Sequence, residues 1–500
     1  MSSAVGRVAF AACVLAAGVA LRPAPVASSE ALGTASAVQD PGLVPVLDSL
    51  FSSAPLAPAL VSVRVDSLTT GRTLYSRNAR SLVMPASNMK IVTMAVAAER
   101  LGWDARFETS LESAGPIADG VLTGDLVVTG GGDPSIAAQD LRSPALFGEW
   151  AEALRAAGVR RVTGRIIGDD SAFDDEPLGA GWAWDYLAAG YAAASGALSY
   201  NENVAVLTIA PAPVAGTPAR VDIGPPGHGL ELVNEVRTGA RDSAATIALG
   251  RLPGSARLTV SGQVPIGSAA LVRTTAIDNP TRFFVEALRV ALAERGISVL
   301  GGAADIDDLT APVAAGPRRL IGSHTSEPLS SLVGYAMKVS QNFYGEMVLK
   351  ALGRSAGRPG STEGGRQIVR DTLTRWGLPV DGLVMYDGSG LSRYNYVTAD
   401  LLVGVLTHVW HDERLRGPFA AALPVGGRDG TLQSRLTNPA VDRRIQAKTG
   451  TINNVRALSG YAETASGERL VFSMIANNFT APNAQVDAAM DQALERLVGR

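Results

Sequence analysis

The sequence has a single cysteine, few lysines and no apolar stretch after its N-terminus that is long enough to cross a bilayer. The cysteine, Cys13, lies in the N-terminal segment, so the rest of the chain has no disulfide, no thiolate metal site and no cysteine nucleophile. The net charge of -3 excludes the basic field of a nucleic-acid-binding protein. We expect no nucleic-acid partner and at most peripheral contact with a membrane.

Lysine is the rarest of the common charged residues in this chain. Of the 44 basic residues only four are lysine, and arginine supplies the others. Because the chain uses arginine by default, few lysines occur by accident and each one is informative. The four are Lys90, Lys338, Lys350 and Lys448.

The N-terminus has the pattern of a signal peptide. Arg7 supplies the positive charge, residues 8–21 form an apolar segment, and residues 35–37 (ASA) form a cleavage site of small residues. The apolar segment is short for a membrane anchor. We therefore expect residues 1–37 to be removed and the mature protein to act in the periplasm or another extracytoplasmic compartment, which suits a chain without cysteine.

The texture of the sequence changes twice along the 500 residues. Helix and strand patterns alternate at the two ends, and three segments near the C-terminus have the pattern of consecutive antiparallel hairpins. The middle alternates short strands with turns rich in glycine, proline and aspartate. We predict an α+β protein whose parts are a signal peptide (1–37), a core domain (38–105 plus 276–500) and a β-rich inserted region (106–275).

Three short motifs occur in a fixed order. Residues 87–90 (SNMK) match S-x-x-K, residues 340–342 (SQN) match S-x-N, and residues 448–450 match K-T-G. Penicillin-binding proteins and class A β-lactamases share this trio. Each motif alone is weak. Together they place two of the four lysines in the required positions, one near the start of a predicted helix and one on a predicted strand.

The first motif has the composition of an activated nucleophile. On a helix, Ser87 and Lys90 share one face because they are three residues apart. A serine hydroxyl needs a base before it can attack. Lysine is a base only when uncharged, so burial or a nearby positive charge must lower its pKa. We predict that Ser87 is the nucleophile and Lys90 its base.

The other two motifs suit the remaining steps of acyl transfer. Lys448 can supply the nearby positive charge, Ser340 can relay a proton to the leaving amine, and Asn342 can hold the amide of the substrate peptide.

A strand that carries K-T-G can also bind the end of the substrate. Lys448 and Thr449 can bind a terminal carboxylate, and Thr449, Gly450 and Thr451 are the candidate substrate-binding residues of this strand. The backbone N–H groups of Ser87 and Thr451 are the natural donors of an oxyanion hole. No metal and no cofactor is implied.

With these motifs the chain resembles the low-molecular-weight penicillin-binding proteins of the D-alanyl-D-alanine carboxypeptidase/endopeptidase family, class C type. The similarity covers about residues 45–500. Roughly 250 residues separate Ser87 from Ser340, an interval that compact β-lactamases lack and that this family fills with inserted domains. Further matching segments are residues 338–342 with Glu346 (K-x-S-x-N…E), 386–393 (YDGSGLSR), 430–435 (GTLQSR) and 131–135 (GGDPS).

The resemblance implies both a fold and an activity. The fold is a penicillin-binding/β-lactamase-like transpeptidase core, an antiparallel sheet with helices on both sides. The activity is that of a serine-type D-Ala-D-Ala carboxypeptidase, and possibly a DD-endopeptidase, which acts on peptidoglycan stem peptides through an acyl-Ser87 intermediate. β-Lactam antibiotics are the implied inhibitors.

Two positions depart from the family pattern. The family often has an aspartate, followed five residues later by an aromatic residue, for binding the substrate side chain. Here the residue five places before Tyr191 is Tyr186, and Asp185 is one place early. Asp185 and Tyr191 are candidate substrate-binding residues, and a helix-start cap is an equally good interpretation of Asp185. The second departure is Gln341, where the family usually has aspartate.

Four alternatives compete with this interpretation. A class A β-lactamase would carry an E-x-x-L-N segment, which the sequence lacks. Residues 353–357 (GRSAG) match the nucleophile elbow of esterase-like hydrolases, but they follow a predicted helix rather than a strand. His408 and His411 lack the glutamate motif of a zinc enzyme. A non-catalytic cell-wall-binding module would have no need for Lys90 and Lys448.

Overall fold

The computed structural model describes residues 40–137, 144–310, 313 and 318–500. The predicted signal peptide and Cys13 lie outside the described residues. Within the described part of the chain, no helix combines the length and the apolarity needed to span a membrane.

Several helices begin directly after a residue whose side chain caps the first turn. Asn279, for example, precedes a helix and accepts a hydrogen bond from Arg282 N, and Pro280 occupies the first turn. The helices are α1 (Val44–Phe51), α2 (Met89–Leu101), α3 (Ala145–Ala156), α4 (Pro280–Glu294), α5 (Leu329–Val339), α6 (Asn342–Arg354), α7 (Thr362–Arg375), α8 (Ala399–His411), α9 (Glu413–Ala422) and α10 (Asn483–Val498).

The strands fall into long ones at the chain ends and mostly shorter ones in between. They are β1 (Leu60–Ser67), β2 (Thr73–Arg77), β3 (Glu108–Ala114), β4 (Ile117–Ala118), β5 (Val121–Leu122), β6 (Asp125–Gly130), β7 (Arg161–Val162), β8 (Ile166–Asp169), β9 (Val204–Ala210), β10 (Arg220–Gly224), β11 (Glu231–Gly239), β12 (Thr246–Gly250), β13 (Arg257–Pro265), β14 (Leu271–Ala276), β15 (Ser298–Val299), β16 (Ala303–Asp305), β17 (Arg318–Thr325), β18 (Leu383–Val384), β19 (Tyr396–Val397), β20 (Ile445–Ile452), β21 (Val455–Glu463) and β22 (Arg469–Asn477).

The core is a five-stranded antiparallel sheet in the order β2-β1-β22-β21-β20. Helices α2 and α5 to α9 pack against one face, and α1 and α10 pack against the other. Because both faces are covered, β22 is an almost unbroken apolar run. The α+β class and the sheet with helices on both sides are confirmed.

The region between α2 and α5 forms separate sheets. A five-stranded sheet (β16-β8-β6-β3-β17) and a four-stranded sheet (β15-β7-β5-β4) share an apolar cluster with α3 and α4. Two three-stranded sheets, β10-β9-β14 and β11-β13-β12, share a second cluster. The region therefore has two apolar centres of its own.

Strand pairing and packing bear on the C-terminal limit of the insertion, which the sequence predicts at residue 275. Strand β17 pairs with β3, and α4 packs in the apolar cluster of the inserted strands. The chain re-enters the core where Ser326 N donates to Phe107 O and Leu329 N donates to Ala105 O. We propose that the inserted region runs from about residue 106 to about residue 326. Composition alone would not indicate this limit, because α4 has the helical texture of the core.

Candidate active site

The first motif lies at the start of α2. Ser87 occupies a short 3-10 turn, Ala86–Asn88, that leads directly into the helix. Lys90 falls in the first helical turn and is fully buried. Its Nζ lies 3.0 Å from Ser87 Oγ. The helical spacing thus brings the hydroxyl and the amine into contact.

The second motif lies at a break between two helices. Helix α5 ends at Val339, Ser340 takes a left-handed conformation with φ of 64°, and α6 begins at Asn342. A non-glycine residue in this region is strained, and such strain is common at active sites. The break turns the Asn342 side chain toward the first motif, since its Oδ1 accepts a hydrogen bond from Lys90 Nζ at 2.7 Å.

The third motif lies on β20, at the edge of the core sheet. Lys448 is fully buried, and its Nζ donates to Ser340 Oγ at 2.7 Å. A Cβ atom on Gly450 would lie 2.6 Å from Pro85 O, so only glycine lets the strand approach the start of α2 so closely. Thr449 donates to Thr431, and the guanidinium of Arg456 donates to the exposed Thr451 hydroxyl.

Residues of the first two motifs, and Thr451 directly after the third, line one open cavity of about 370 Å³. It lies between the core and the inserted region. The residues that line it are Ser87, Tyr186, Tyr191, Ser340, Asn342, Gly390, Leu391, Thr451, Ile452, Asn453 and Asn483.

Burial lowers the pKa of both lysine amines. Burial lowers the pKa of Lys90 to about 7, although the charges of Glu346 and Asp387 act in the opposite direction. Burial also lowers the pKa of Lys448 well below its usual value, and the charge of Lys90 adds to that effect. Of the two causes expected to lower the pKa of Lys90, burial or a nearby positive charge, burial is the one that acts.

A buried carboxyl group holds the backbone segment that contacts Lys90. Glu346 accepts hydrogen bonds from the backbone N–H groups of Gly388 and Ser389, at 3.0 and 2.8 Å. The carbonyl oxygen of Ser389 in turn accepts from Lys90 Nζ at 2.9 Å. Burial, helped by the charge of Asp387, raises the pKa of Glu346. The YDGSGLSR segment therefore holds the amine through its backbone.

The inserted region supplies two tyrosines to the cavity. Tyr186 and Tyr191 pack edge to face with ring centroids 5.7 Å apart, and Arg393 donates to Tyr186 Oη at 3.2 Å. Asp185 is exposed and is not part of the cavity lining, although its charge contributes, after burial and Tyr186, to raising the pKa of Tyr191. Sequence reasoning missed Tyr186 as a site residue, although its spacing from Tyr191 was the available signal.

Local structure explains the residues of two alternative sites. Ser355, the serine of the G-x-S-x-G match, is exposed just after α6, and its hydroxyl donates to Leu352 O. His408 stacks on Trp376 with ring centroids 4.1 Å apart. A nucleophile elbow needs a strand before its serine, and here a helix precedes it.

Comparison with known proteins places the chain in a family. Residues 43–497 match the D-Ala-D-Ala carboxypeptidase 3 (S13) family. The chain is 34% identical over 468 residues to a D-alanyl-D-alanine carboxypeptidase of an Actinomadura species, covering 91% of this chain and 84% of that protein. The chain belongs to the S13 family. It is a hydrolase, a serine-type D-Ala-D-Ala carboxypeptidase, and the resemblance drawn from the motifs is confirmed.

Relatives of this S13 peptidase include solved structures. The D-alanyl-D-alanine carboxypeptidase DacB of Haemophilus influenzae is 26% identical over 407 residues, which cover 81% of this chain and 82% of that protein. The crystal structure of penicillin binding protein 4 (dacB) from H. influenzae superposes with a TM-score of 0.77 at 23% identity, covering 90% of this chain and 98% of that one. A structure of the same protein complexed with a β-lactam gives a TM-score of 0.73 at 21% identity, covering 91% and 99%.

Proposed function

We propose that this S13 peptidase cleaves the terminal D-Ala-D-Ala amide of peptidoglycan stem peptides through an acyl-enzyme on Ser87. One observation carries the proposal. Two fully buried amines each contact a serine hydroxyl at the same cavity, Lys90 with Ser87 at 3.0 Å and Lys448 with Ser340 at 2.7 Å. This is the arrangement that hydroxyl activation and proton delivery to a leaving amine require.

Lys90 serves as the base of acylation. With a pKa of about 7, a large share of its amine is uncharged at neutral pH. A neutral amine keeps two N–H donors for Asn342 Oδ1 and Ser389 O, and it offers its lone pair to the Ser87 hydroxyl. The proton moves to Nζ as Oγ bonds to the substrate carbonyl carbon. The N–H groups of Ser87 and Thr451 stabilise the resulting oxyanion.

Ser340 delivers the proton that releases D-alanine. Its Oγ is hydrogen-bonded to Lys448 Nζ, so a proton given to the leaving nitrogen is replaced from that amine. The C–N bond breaks, D-alanine leaves, and a water molecule then hydrolyses the acyl ester with Lys90 again as base. Thr449 and Thr451 bind the terminal carboxylate beside the positive charge of Arg456.

The inserted region recognises the rest of the stem peptide. Asn342 Nδ2 donates to Tyr191 O at 2.9 Å, so the second motif and the tyrosine-bearing segment form one wall of the cavity. We expect the substrate side chain to lie against Tyr186 and Tyr191, which line the cavity, and Asp185 stays a candidate contact outside that lining. β-Lactams acylate the same Ser87. The mature enzyme acts outside the cytoplasm after removal of residues 1–37.

Purified muropeptides provide the test. The mature chain, residues 38–500, is incubated with them and the products are read by mass. Loss of one alanine identifies the carboxypeptidase reaction, and split dimers identify endopeptidase action by the same chemistry. Ser87→Ala is expected to abolish both the reaction and labelling by fluorescent penicillin, whereas Ser355→Ala keeps both. Unchanged muropeptides with the parent protein would contradict the proposal.

A further inference from the structure

The middle residue of the second motif is fixed at both ends of its side chain. Gln341 lies between Ser340 and Asn342. Its Oε1 accepts from Phe343 N at 3.3 Å and so caps the start of α6. Its Nε2 donates to Glu202 Oε2 at 2.5 Å. Glu202 belongs to the inserted region, so the insertion contacts the motif directly.

Glu202 joins the two helices that flank the motif. Its Oε2 accepts from Gln341 at the start of α6, and its Oε1 accepts from Tyr335 Oη, on α5, at 2.8 Å. The two bonds use one oxygen each, so a single carboxylate bridges both helices. The relative position of α5 and α6 at the break is therefore tied to one carboxylate.

The backbone that carries Glu202 is held in a strained turn. Asn201, Glu202 and Asn203 all have positive φ, at 52°, 54° and 55°. Non-glycine residues rarely adopt this conformation, and it persists only where other contacts impose it. Asn201 Nδ2 donates to Val204 O at 2.9 Å, and Asn203 Nδ2 donates to Ala194 O at 2.8 Å. The turn thus presents Glu202 from a rigid support at the start of β9.

The chemistry of the pair is complementary and directional. A glutamine amide donates to a carboxylate, whereas a second carboxylate at the same place would repel the first unless one of them held a proton. Burial raises the pKa of Glu202, and its hydrogen bonds with Tyr335 and Gln341 act against that effect. An amide at position 341 therefore suits a carboxylate at position 202.

We propose that Glu202 is a positioning residue for the second motif, and that its hydrogen bond to the Gln341 amide orients Ser340 toward Lys448 and Asn342 toward Lys90. The inference rests on the proposed roles of Ser340 and Asn342. A displacement of about 1 Å in such a group is enough to cost on the order of a hundredfold in rate. The inserted region is then a part of the catalytic support as well as of the substrate site.

Exchange of the two side-chain types tests the inference. The rate constant of Ser87 acylation by fluorescent penicillin is measured from pH 6 to 9 for the parent, Gln341→Glu, Glu202→Gln and the double exchange Glu202→Gln/Gln341→Glu. Relative to the parent at the same pH, we expect the acylation rate constant of Gln341→Glu to fall about a hundredfold at pH 8. The fall should be smaller at pH 6, where one of the two carboxyl groups retains a proton. The double exchange should recover to within about threefold, because it restores one amide and one carboxylate.

A matched control is available on α7. Gln367 Nε2 donates to Asp371 Oδ1 at 2.8 Å on an exposed face, so Gln367→Glu also opposes two carboxylates but far from the motif. It should leave acylation unchanged. If Gln341→Glu does not fold, Glu202→Ala decides, with an expected loss of about tenfold in rate per folded molecule.

Two results would overturn the inference. One is an acylation rate and pH profile for Gln341→Glu, or a rate for Glu202→Ala, equal to those of the parent, with only the melting temperature lowered. The other is a double exchange no faster than Gln341→Glu. A parent protein that is not acylated at Ser87 would contradict the proposed function, whereas a labelled parent with indifferent variants would contradict the role of Glu202 alone.

Discussion

The cleft and the structure around it treat the same residue type in opposite ways. Outside the cleft, the ammonium of Lys350, which is also buried, donates to Asp174 Oδ1 at 2.7 Å, and Lys338 donates to both oxygens of Asp429 at 2.9 and 2.7 Å. In the cleft, the nearest partners of Lys90 and Lys448 are serine hydroxyls, an amide oxygen and backbone carbonyls.

The difference shows how one side chain serves two purposes. A carboxylate partner compensates a buried ammonium and makes it a structural tie. Without that partner, burial favours the uncharged amine, which has a lone pair to take a proton. Glu346 is the acid whose charge acts most strongly on Lys90. It accepts hydrogen bonds from the backbone N–H groups of Gly388 and Ser389 instead. The cleft thus keeps acids close to its amine but not in contact with it.

The strongest test of this comparison removes one lysine of the cleft and one lysine that is paired with a carboxylate. Lys90→Met should lower the rate of Ser87 acylation about a thousandfold, because general bases contribute about 10²–10⁴. Lys350→Met should lower the free energy of unfolding by about 3 kcal/mol, because Asp174 loses its partner, with an unchanged acylation rate per folded molecule. Acylation by penicillin measures the activity, and thermal unfolding measures the stability. An equal loss of acylation rate per folded molecule in the two variants would contradict the distinction between a catalytic and a structural lysine.

The second amine is tested through the hydroxyl that it contacts. Ser340→Ala removes the relay between Lys448 and the leaving nitrogen. We expect a loss of about a hundredfold in the rate of D-alanine release from a stem-peptide analogue. Ser331→Ala, an exposed serine on α5, is the control and should be neutral. A Ser340→Ala enzyme as fast as its control would leave Lys448 without a catalytic role.

The pH dependence of acylation sharpens the contrast between free and paired amines. Since the pKa of Lys90 is lowered to about 7, its protonated form dominates below that pH and has no lone pair. The rate should rise about tenfold per pH unit up to about pH 6.5 and level off above about pH 7.5. Stopped-flow acylation across this range, with thermal unfolding recorded at each pH, checks it. A flat profile would contradict a neutral-lysine base.

His324 is a base in the inserted region that lies beside a carboxylate, so we expect it to contribute to stability and not to catalysis. His324 Nε2 lies 3.3 Å from Oδ2 of the buried Asp133, and this contact with the carboxylate, against a smaller lowering effect of burial, raises the histidine pKa. Its stabilising contribution is complete below the unfolded-state pKa of about 6.5 and is lost as the pH rises through the higher folded-state value. Chemical unfolding at pH 6 and pH 9 should show a smaller pH dependence in His324→Asn, with acylation unchanged. An unaltered pH dependence would show that the pair does not stabilise the fold.

The sequence carries enough information for the fold and for most of the site. Hydrophobic periodicity and turn chemistry predict the core strands and helices, and the three motifs predict which side chains meet, because helical spacing and a glycine-bearing strand have simple geometry. The conformation of Ser340 is different. A left-handed residue without glycine has no local sequence signal, since distant contacts impose it.

Distant contacts also explain what the sequence could not supply. Glu202 reaches Gln341 from 139 positions away, through a strained turn that no spacing rule identifies. Strand β17 pairs with β3 across an interval of about two hundred residues, and this pairing supports the later end that we propose for the inserted region. Tyr186, rather than Asp185, lines the cavity because a short 3-10 turn sets which of two adjacent side chains faces inward.

The rarity of lysine allows a direct measurement of the protonation state of the proposed base. With four lysines in the chain, [ε-¹³C]lysine labelling gives a spectrum simple enough for a pH titration of each amine, and the resonance missing from Lys90→Met identifies its own. We predict that the Lys90 signal titrates near pH 7. A Lys90 signal that remains that of an ammonium up to about pH 10, the ordinary range for lysine, would contradict it.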